Sequence, residues 1–429
     1  MKLGTASLNA KRIILEVFST GFLNIVIRVL TMSARFLLVI YMGKRLSLED
    51  LGGFGLISAL VNLGIYFSGL ELYLFTIRDL VGRPKYEWGG YLRDQMLVHA
   101  GMYVLAVIGS VCFVGYRHMN WVFFLLAPAL LVIEHLCQEI YRLLEASGQA
   151  TQGLLFLFLR SGAWVFIFIG LSEVVPTLRS LVTVTCLWLL GCILGILYSL
   201  NRMQSFGWAE GWASPVDWKR LKEGLRVSAL YFVAALALRA IPMLDRLMID
   251  RSHGQAAVGI YTFFFNLANG IQDFVNAGVI IVCYPAFLTA VRKGDFSIAW
   301  SWYLKLRVRI VSVAVLLIIG SSIFLWATQS VWISKFPRES FYIYFLLALG
   351  NGFQLFALIP YFRLYAMGHD RAVFFGALFF MILVVGIDWF LIPRFGAWGA
   401  SAGFCLGSFG LFVLRYVQGR IIVPMAKFV

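Results

Sequence analysis

The sequence predicts an all-α integral membrane protein with twelve transmembrane helices in two six-helix lobes. Three observations predict this class: the composition, the number of long apolar runs and an internal repeat. Of the 429 residues, 61% are hydrophobic and 13% are charged, and the mean hydropathy is +0.85. Soluble domains carry about 25% charged residues, so this chain lies well outside their range. The lipid bilayer is therefore predicted to be its main solvent.

Twelve apolar runs are long enough to cross a bilayer, since a helix needs about 20 residues to span the hydrocarbon core. They lie near residues 17–42, 51–75, 95–115, 120–140, 151–172, 180–200, 226–249, 257–285, 306–328, 340–362, 371–392 and 397–416. The longest polar stretch, residues 201–224, is too short to fold as a catalytic domain. Any chemistry is therefore expected within the membrane.

The two halves of the chain carry matching residues at nearly constant offsets, which predicts an internal duplication. At an offset of 211 residues Arg28 matches Arg239, Arg35 matches Arg246 and Gly43 matches Gly254, and at 206 Gly53 matches Gly259 and Gly64 matches Gly270. At 220, the motif Tyr141, Leu144, Ala146 and Gly148 recurs as Tyr361, Leu364, Ala366 and Gly368. Each half holds six spans, so both insert with the same orientation. A pseudo-two-fold axis is predicted along the membrane normal.

These matches predict an N-terminal lobe over residues 1–205, a linker over 206–224 and a C-terminal lobe over 225–429. The linker mixes tryptophans with lysines and arginines, which suits an amphipathic helix lying in the inner headgroup layer. Ser214 and Pro215 are expected to form the N-cap and first turn of that helix.

The net charge of +15 has a topological explanation. If both termini are cytoplasmic, 23 of the 36 lysines and arginines lie in inner segments, 8 lie in outer loops and 5 lie inside spans. This distribution follows the positive-inside rule. Inner basic segments contribute on the order of 1 kcal/mol per charge to the attraction of anionic headgroups. The charge therefore predicts a bilayer partner and makes a nucleic-acid partner unnecessary.

Arginines inside the spans are the strongest functional signal. These residues are Arg28, Arg35, Arg160, Arg239 and Arg246. Each costs about 2.5–3.5 kcal/mol at the bilayer centre, so none is expected to face lipid. A guanidinium group binds phosphate with two parallel hydrogen bonds, and the arginines therefore predict an anionic, phosphorylated substrate. Asn266 begins a polar stripe on the eighth span and is included in the predicted substrate site.

Five acidic residues inside or beside the spans are predicted to bind a coupling ion, H⁺ or Na⁺. They are Glu71, Glu134, Asp245, Asp273 and Asp388. In an alternative interpretation, four of them (all except Asp245) only neutralise the matched arginines Arg28, Arg35 and Arg239 through interhelical ion pairs. No catalytic set or metal-ligand spacing is apparent, and no cofactor is expected. The six cysteines lie in apolar spans without the short paired spacings of a zinc site or a disulfide framework, as packing residues do.

Three segments carry recognisable motifs: 43–64, the pair Asp245 and Arg246 followed by 258–261, and 395–400. These motifs resemble those of polysaccharide flippases of the multidrug, oligosaccharidyl-lipid and polysaccharide exporter superfamily. The resemblance spans nearly the whole chain and implies translocation of an undecaprenyl-diphosphate-linked oligosaccharide, of the O-antigen type, by alternating access. It also implies a bacterial inner membrane location and contact with polysaccharide polymerase machinery. Such relatives tend to carry cavity arginines on the first helix, as Arg28 and Arg35 do here.

Two other classes fit less well. A multidrug antiporter of the same fold is expected to have an acidic, cation-binding cavity, whereas arginines are in excess here. A membrane glycosyltransferase or polymerase needs long outer loops to hold donor and acceptor. The outer connections of this chain are short, which predicts a protein that is not an enzyme.

Overall fold

The computed structural model is helical throughout the part it describes, residues 2–332 and 335–422, with backbone alone for 2–20 and 329–332. The α-helices are α1 (Lys2–Arg45), α2 (Leu48–Gly69), α3 (Tyr73–Leu80), α4 (Trp88–Tyr116), α5 (Phe123–Ala146), α6 (Ala150–Phe158), α7 (Trp164–Val174), α8 (Leu181–Leu200), α9 (Trp208–Ala213), α10 (Trp218–Val275), α11 (Ile281–Arg292), α12 (Phe296–Trp332), α13 (Phe341–Ala366), α14 (Asp370–Phe395) and α15 (Ala397–Ile421). Two π-helical turns, Leu159–Ala163 and Asn276–Ile280, join α6 to α7 and α10 to α11.

The described residues contain 11 helical segments that are long and apolar enough to cross a membrane. One of them, residues 218–292, has 75 residues and would extend about 110 Å as a single straight helix. It is interrupted at Gly254, where φ is 80° and ψ is 173°. This break separates the seventh and eighth predicted spans, so the prediction of an all-α protein with twelve spans is confirmed. The chain is a multi-pass membrane protein.

The helices form two compact units that are discontinuous in sequence. The first comprises Met1–Leu38 and Gly64–Ala229, and the second comprises Val39–Leu63 and Leu230–Val429. The end of α1 and most of α2 thus group with the second unit. The lobe boundaries predicted from the repeat stay a prediction.

Glycines explain why part of α2 belongs to the second unit. A Cβ atom at Gly52 would lie 2.1 Å from the carbonyl oxygen of Gln255, and one at Gly259 would lie 2.1 Å from that of Leu48. The backbones of α2 and α10 therefore approach as closely as small residues allow, as at other interfaces between membrane helices. The side chain of Gln255 also donates to the carbonyl group of Glu49 at 2.8 Å.

We expect Gly259→Ala to lower the free energy of unfolding by about 1–3 kcal/mol, because the new methyl group meets a backbone carbonyl that cannot turn aside. Gly320→Ala is the matched control, since a Cβ atom there meets nothing within 4 Å. That change should be neutral or stabilising, as alanine favours helix over glycine. Thermal unfolding of both variants in detergent tests this, and equal melting temperatures would contradict the close approach.

The repeated Tyr-Leu-Ala-Gly motif ends a helix in both units. α5 and α13 stop at its alanine, and the glycine two residues later has a φ of 77° at Gly148 and 76° at Gly368. The N–H group after each glycine donates to the carbonyl of the motif leucine, Leu144 or Leu364, at 2.9 and 3.0 Å. Both leucines are fully buried. The motif therefore encodes a left-handed helix terminus, for which glycine is favoured.

The linker departs from its predicted local structure. Ser214 and Pro215 do not cap a helix: Ser214 is extended and follows α9, and α10 begins three residues after Pro215. Asp217 supplies the N-cap, since its Oδ1 accepts the N–H of Arg220 at 2.9 Å. The extended stretch is held by the buried Arg93, which donates to the carbonyl groups of Ser214 and Pro215. A tertiary partner 121 residues away in sequence thus replaces the expected turn.

Candidate functional site

The predicted substrate arginines of α1 lie on one face of the helix. Arg28 and Arg35 are seven residues apart, or nearly two turns. Arg28 is half-buried and Arg35 is exposed. Within the described part of the chain, neither has a hydrogen-bond or ion-pair partner. Two guanidinium groups without counter-charge on an apolar helix favour an anionic ligand, because unpaired cations are costly there.

The π turn between α6 and α7 brings a third arginine near this face. A Cβ atom at Gly162 in the turn would lie 3.5 Å from the Cα of Thr31, which lies between the two arginines of α1. Tyr141 of α5 interacts electrostatically with both Arg28 and Arg160. The first unit therefore places Arg28, Arg160 and Tyr141 in one neighbourhood. π turns often occur at functional sites.

Arg160, however, is neutralised by a carboxylate. Its Nε donates to Oε2 of Glu134 at 2.6 Å, its Nη2 contacts the same oxygen, and its Nη1 donates to Gln138 at 3.2 Å. The other oxygen of Glu134 accepts the indole N–H of Trp188 at 2.5 Å. Both charged residues are buried. Arg160 is thus neutralised by an ion pair, and Arg28 and Arg35 remain the predicted substrate arginines of the first unit that have no such partner among the described residues.

In the second unit, Arg246 is held by neutral groups. Its Nε donates to Thr262 at 3.2 Å and its Nη1 to the carbonyl of Pro242 at 2.7 Å. The guanidinium carbon lies 5.6 and 5.0 Å from the ring centroids of Tyr261 and Phe265, within range of cation–π attraction. Arg246 is only 3% exposed. On the same helix, Arg239, which matches Arg28, is exposed, and Asn266 is half-buried.

Two of the predicted ion-coupling acids meet in the second unit. Asp245 of α10 and Asp388 of α14 are each 1% exposed, and their carboxyl groups lie within hydrogen-bonding range of one another. Tyr261 donates to Oδ2 of Asp245 at 2.7 Å. Among the described residues, nothing donates to Oδ1 of Asp245 or to either oxygen of Asp388. Two buried carboxyl groups this close repel one another when both are ionised, so the pair is a candidate site for a proton or a cation.

Glycine makes room for this pair. A Cβ atom at Gly403 of α15 would lie 1.9 Å from Oδ1 of Asp388. The bare backbone of α15 thus lies directly against the carboxyl group. The three helices α10, α14 and α15 therefore enclose the pair without any positive side chain bonded to it among the residues described.

The other predicted acids lie elsewhere. Glu71 belongs to the first unit and is buried just after α2, whereas Asp273 is exposed on α10. Next to Asp273, Gln272 donates to Gln354 at 2.7 Å. Sequence reasoning missed a further buried cluster around His99 and His135. The available signal was that the chain has only five histidines, two of which fall inside predicted spans.

The architecture and the intramembrane charges define a class, the polytopic α-helical membrane proteins with ionisable groups in their helix bundles. No protein-family model and no curated protein matches the sequence. Solved structures do match. An inward-facing multidrug resistance MATE family transporter of the MOP superfamily superposes with a TM-score of 0.69 and 14% identity, over 93% of this chain and 95% of that one.

Two further structures match over comparable lengths. An outward-facing multidrug resistance MATE family transporter of the MOP superfamily gives a TM-score of 0.63 at 16% identity, covering 95% of this chain and 96% of that one. A MATE protein in complex with MaD3S gives 0.62 at 14% identity, covering 94% of each chain. The chain therefore has the fold of MATE transporters, twelve helices in two lobes.

Proposed function

We propose that this protein is a flippase, not an enzyme, and that it moves an undecaprenyl-diphosphate-linked oligosaccharide from the cytoplasmic to the outer leaflet by alternating access. The observation that carries the proposal is the pair Arg28 and Arg35, which share a helix face and have no partner among the described residues. The fold supports the transport cycle, because its structural neighbours include inward-facing and outward-facing conformations.

The diphosphate is the part of this substrate that suits the two arginines. Each guanidinium group remains charged when it leaves water and can donate two parallel hydrogen bonds to phosphate oxygens. Arg28 and Arg35 rise about 10 Å apart along the helix, so a diphosphate with its sugar can contact both in turn. In this proposal Arg160 stays paired with Glu134 and supplies the electrostatic surroundings of Arg28. Arg239 and Asn266 remain proposed substrate-binding residues of the second unit.

The Asp245–Asp388 pair is proposed as the coupling site. A shared proton can be released when one carboxyl group finds another partner, and a monovalent cation such as Na⁺ can replace it between the two oxygens. The cycle then exchanges ion for substrate. Glu71, Glu134 and Asp273 remain proposed contributors, and Glu134 acts only if its bond to Arg160 opens.

The setting follows from the same proposal. In this proposal both termini lie in the cytoplasm, as the positive-inside distribution predicts, and the protein lies in a bacterial inner membrane, as its substrate class implies. Polysaccharide polymerase machinery is the proposed recipient of the product.

Binding of undecaprenyl diphosphate to the purified protein tests the substrate class. Arg28→Gln or Arg35→Gln removes a charge-assisted bond worth about 1.5–3 kcal/mol, so we expect ten- to hundredfold weaker binding. Arg28→Lys should restore it only in part, because lysine keeps the charge and loses the planar fork. Arg202→Gln, an exposed position of the first unit, is the control. Unchanged affinity in both Gln variants would contradict the proposal.

A multidrug antiporter is the second candidate, favoured by the multidrug resistance transporters among the structural neighbours and by the Asp245–Asp388 pair. It predicts binding of a lipophilic cation, which the arginines of α1 should oppose. In the same assay, a tighter complex with a cationic drug in Arg28→Gln than in the unaltered protein, with no diphosphate binding in either, would favour this candidate.

A further inference from the structure

Two histidines of the first unit are buried side by side. His99 of α4 is 3% exposed and His135 of α5 is 0% exposed, and their ring centroids lie 4.7 Å apart in an edge-on arrangement. The ring of His99 lies close to the backbone of Gly69, and Nδ1 of His135 shares a 2.6 Å hydrogen bond with the hydroxyl of Tyr103. The Nε2 atoms of both rings have no hydrogen-bond partner in the described residues.

Unpartnered buried nitrogens are unusual, since leaving one without a bond costs about 1–3 kcal/mol. A proton changes this balance, because an imidazolium ring donates from both nitrogens. The nearest acceptor is Glu139, whose Oε1 lies 3.9 Å from Nε2 of His135. This distance is within ion-pair range and slightly long for a hydrogen bond, so a protonated His135 would turn toward the carboxylate.

The charged and titratable groups around the pair come from three packed elements. On α5, Glu139 accepts from Arg142 at 2.7 Å and from Gln95 of α4 at 2.6 Å. The groups around the pair from the helices are Tyr103, Glu134, Glu139, Arg142 and Arg160. Glu71 of the α2–α3 connection lies near Tyr73, the first residue of α3, which in turn lies near Arg142 and Glu139. Glu134 is bonded to Arg160, so these two charges balance. Arg142 also stacks on the ring of Tyr73, 3.4 Å from the centroid, so Glu139 is not its sole partner.

Both histidines touch the same point of the backbone, the end of α2. The ring of His99 lies close to the backbone of Gly69, and Nε2 of His135 lies only 2.9 Å from where a Cβ atom of Gly69 would stand. The next two residues, Leu70 and Glu71, have φ values of 49° and 53°. Residues other than glycine adopt such positive φ values at a cost of about 1–3 kcal/mol each. Such conformations persist only where the surrounding structure holds them.

We infer that His99 and His135 form a proton-binding site that controls the break between α2 and α3. With both rings neutral, they clamp Gly69 and hold Leu70 and Glu71 in their strained conformation. Uptake of one proton at Nε2 draws His135 toward Glu139 and away from Gly69. The clamp then opens, and the α2–α3 connection gains freedom. This inference rests on the first unit alone and holds whichever substrate the protein moves.

Hydrogen–deuterium exchange of the full chain in lipid nanodiscs tests the site. After correction for the intrinsic pH dependence of exchange, we expect residues 66–80 to exchange about tenfold faster at pH 5.5 than at pH 7.5, because a histidine released from the clamp is mostly protonated at pH 5.5 and mostly neutral at pH 7.5. His99→Gln and His135→Gln should each remove this response. His253→Gln, an exposed histidine of the second unit, should keep it.

Glu139→Gln provides an independent arm that retains both imidazole rings. Because the carboxylate stabilises the imidazolium, this change should move the midpoint of the transition to lower pH. An unaltered protein with no pH response in residues 66–80 would overturn the inference. So would a response that is the same in His99→Gln, His135→Gln and the unaltered protein. Neither outcome bears on substrate binding by Arg28 and Arg35.

Discussion

Glu134→Leu is expected to lower the free energy of unfolding by about 3–5 kcal/mol, because Arg160 would stay buried without its counter-charge. The two side chains are joined by two contacts of Glu134 Oε2, and both residues lie within the helix bundle of the first unit. Trp188 would also lose its acceptor. Reversible unfolding in mixed micelles measures the change.

The double variant Glu134→Leu with Arg160→Leu is the decisive control. Replacing both members of a buried ion pair by apolar residues is often neutral or stabilising, so most of the lost stability should return. A single Glu134→Leu variant whose free energy of unfolding falls by less than about 1 kcal/mol would show that Arg160 reaches another anion or water. Solvent-exposed ion pairs contribute at most about 1 kcal/mol to stability.

Asp388→Asn is expected to abolish ion-driven accumulation of substrate while leaving the fold intact. The asparagine amide can donate to Oδ1 of Asp245, which has no donor among the described residues, so stability should be equal or higher. The variant no longer has a second carboxyl group with which to share a proton. One unit of pH gradient supplies about 1.4 kcal/mol per proton, so the roughly tenfold accumulation it drives should disappear.

Transport into proteoliposomes with and without an imposed pH or Na⁺ gradient measures this effect. Asp245→Asn should behave in the same way, and Asp295→Ser is the matched control because serine retains the exposed helix cap that Asp295 provides. Full gradient-driven accumulation in Asp388→Asn would exclude the pair as the coupling site. Loss with one gradient and not the other would identify the ion.

The helix count could be predicted from the sequence because hydropathy and the 20-residue requirement act locally. The role of each intramembrane charge could not be predicted in the same way. Arg246 is bonded to Thr262, sixteen residues along the chain, and Asp245 meets Asp388 across 143 residues. Only packing brings such groups together, so the sequence could identify them as costly without pairing them. Arg160 and Glu134 were likewise assigned separate tasks although they bond to each other.

Matching residues also proved unequal in conformation. Gly43 remains helical against the ring of Phe263, whereas its match Gly254 breaks α10 with a positive φ. The repeated motif ending at Gly148 and Gly368 has the same backbone geometry in both units, because the helix ends there with a left-handed residue and glycine adopts that conformation readily. Matches between the two halves of the sequence therefore predict local backbone conformation better than they predict tertiary contacts.

The most direct test of the account is translocation of an undecaprenyl-diphosphate-linked oligosaccharide in proteoliposomes, followed by the access of a membrane-impermeant glycosidase to the sugar. The unaltered protein should move the lipid to the enzyme-accessible leaflet. The double variant Arg28→Gln with Arg35→Gln, folded and reconstituted in equal amount, should be at least about tenfold slower, since it lacks two charge-assisted bonds. Equal rates in the two proteins would contradict the claim that these arginines hold the diphosphate.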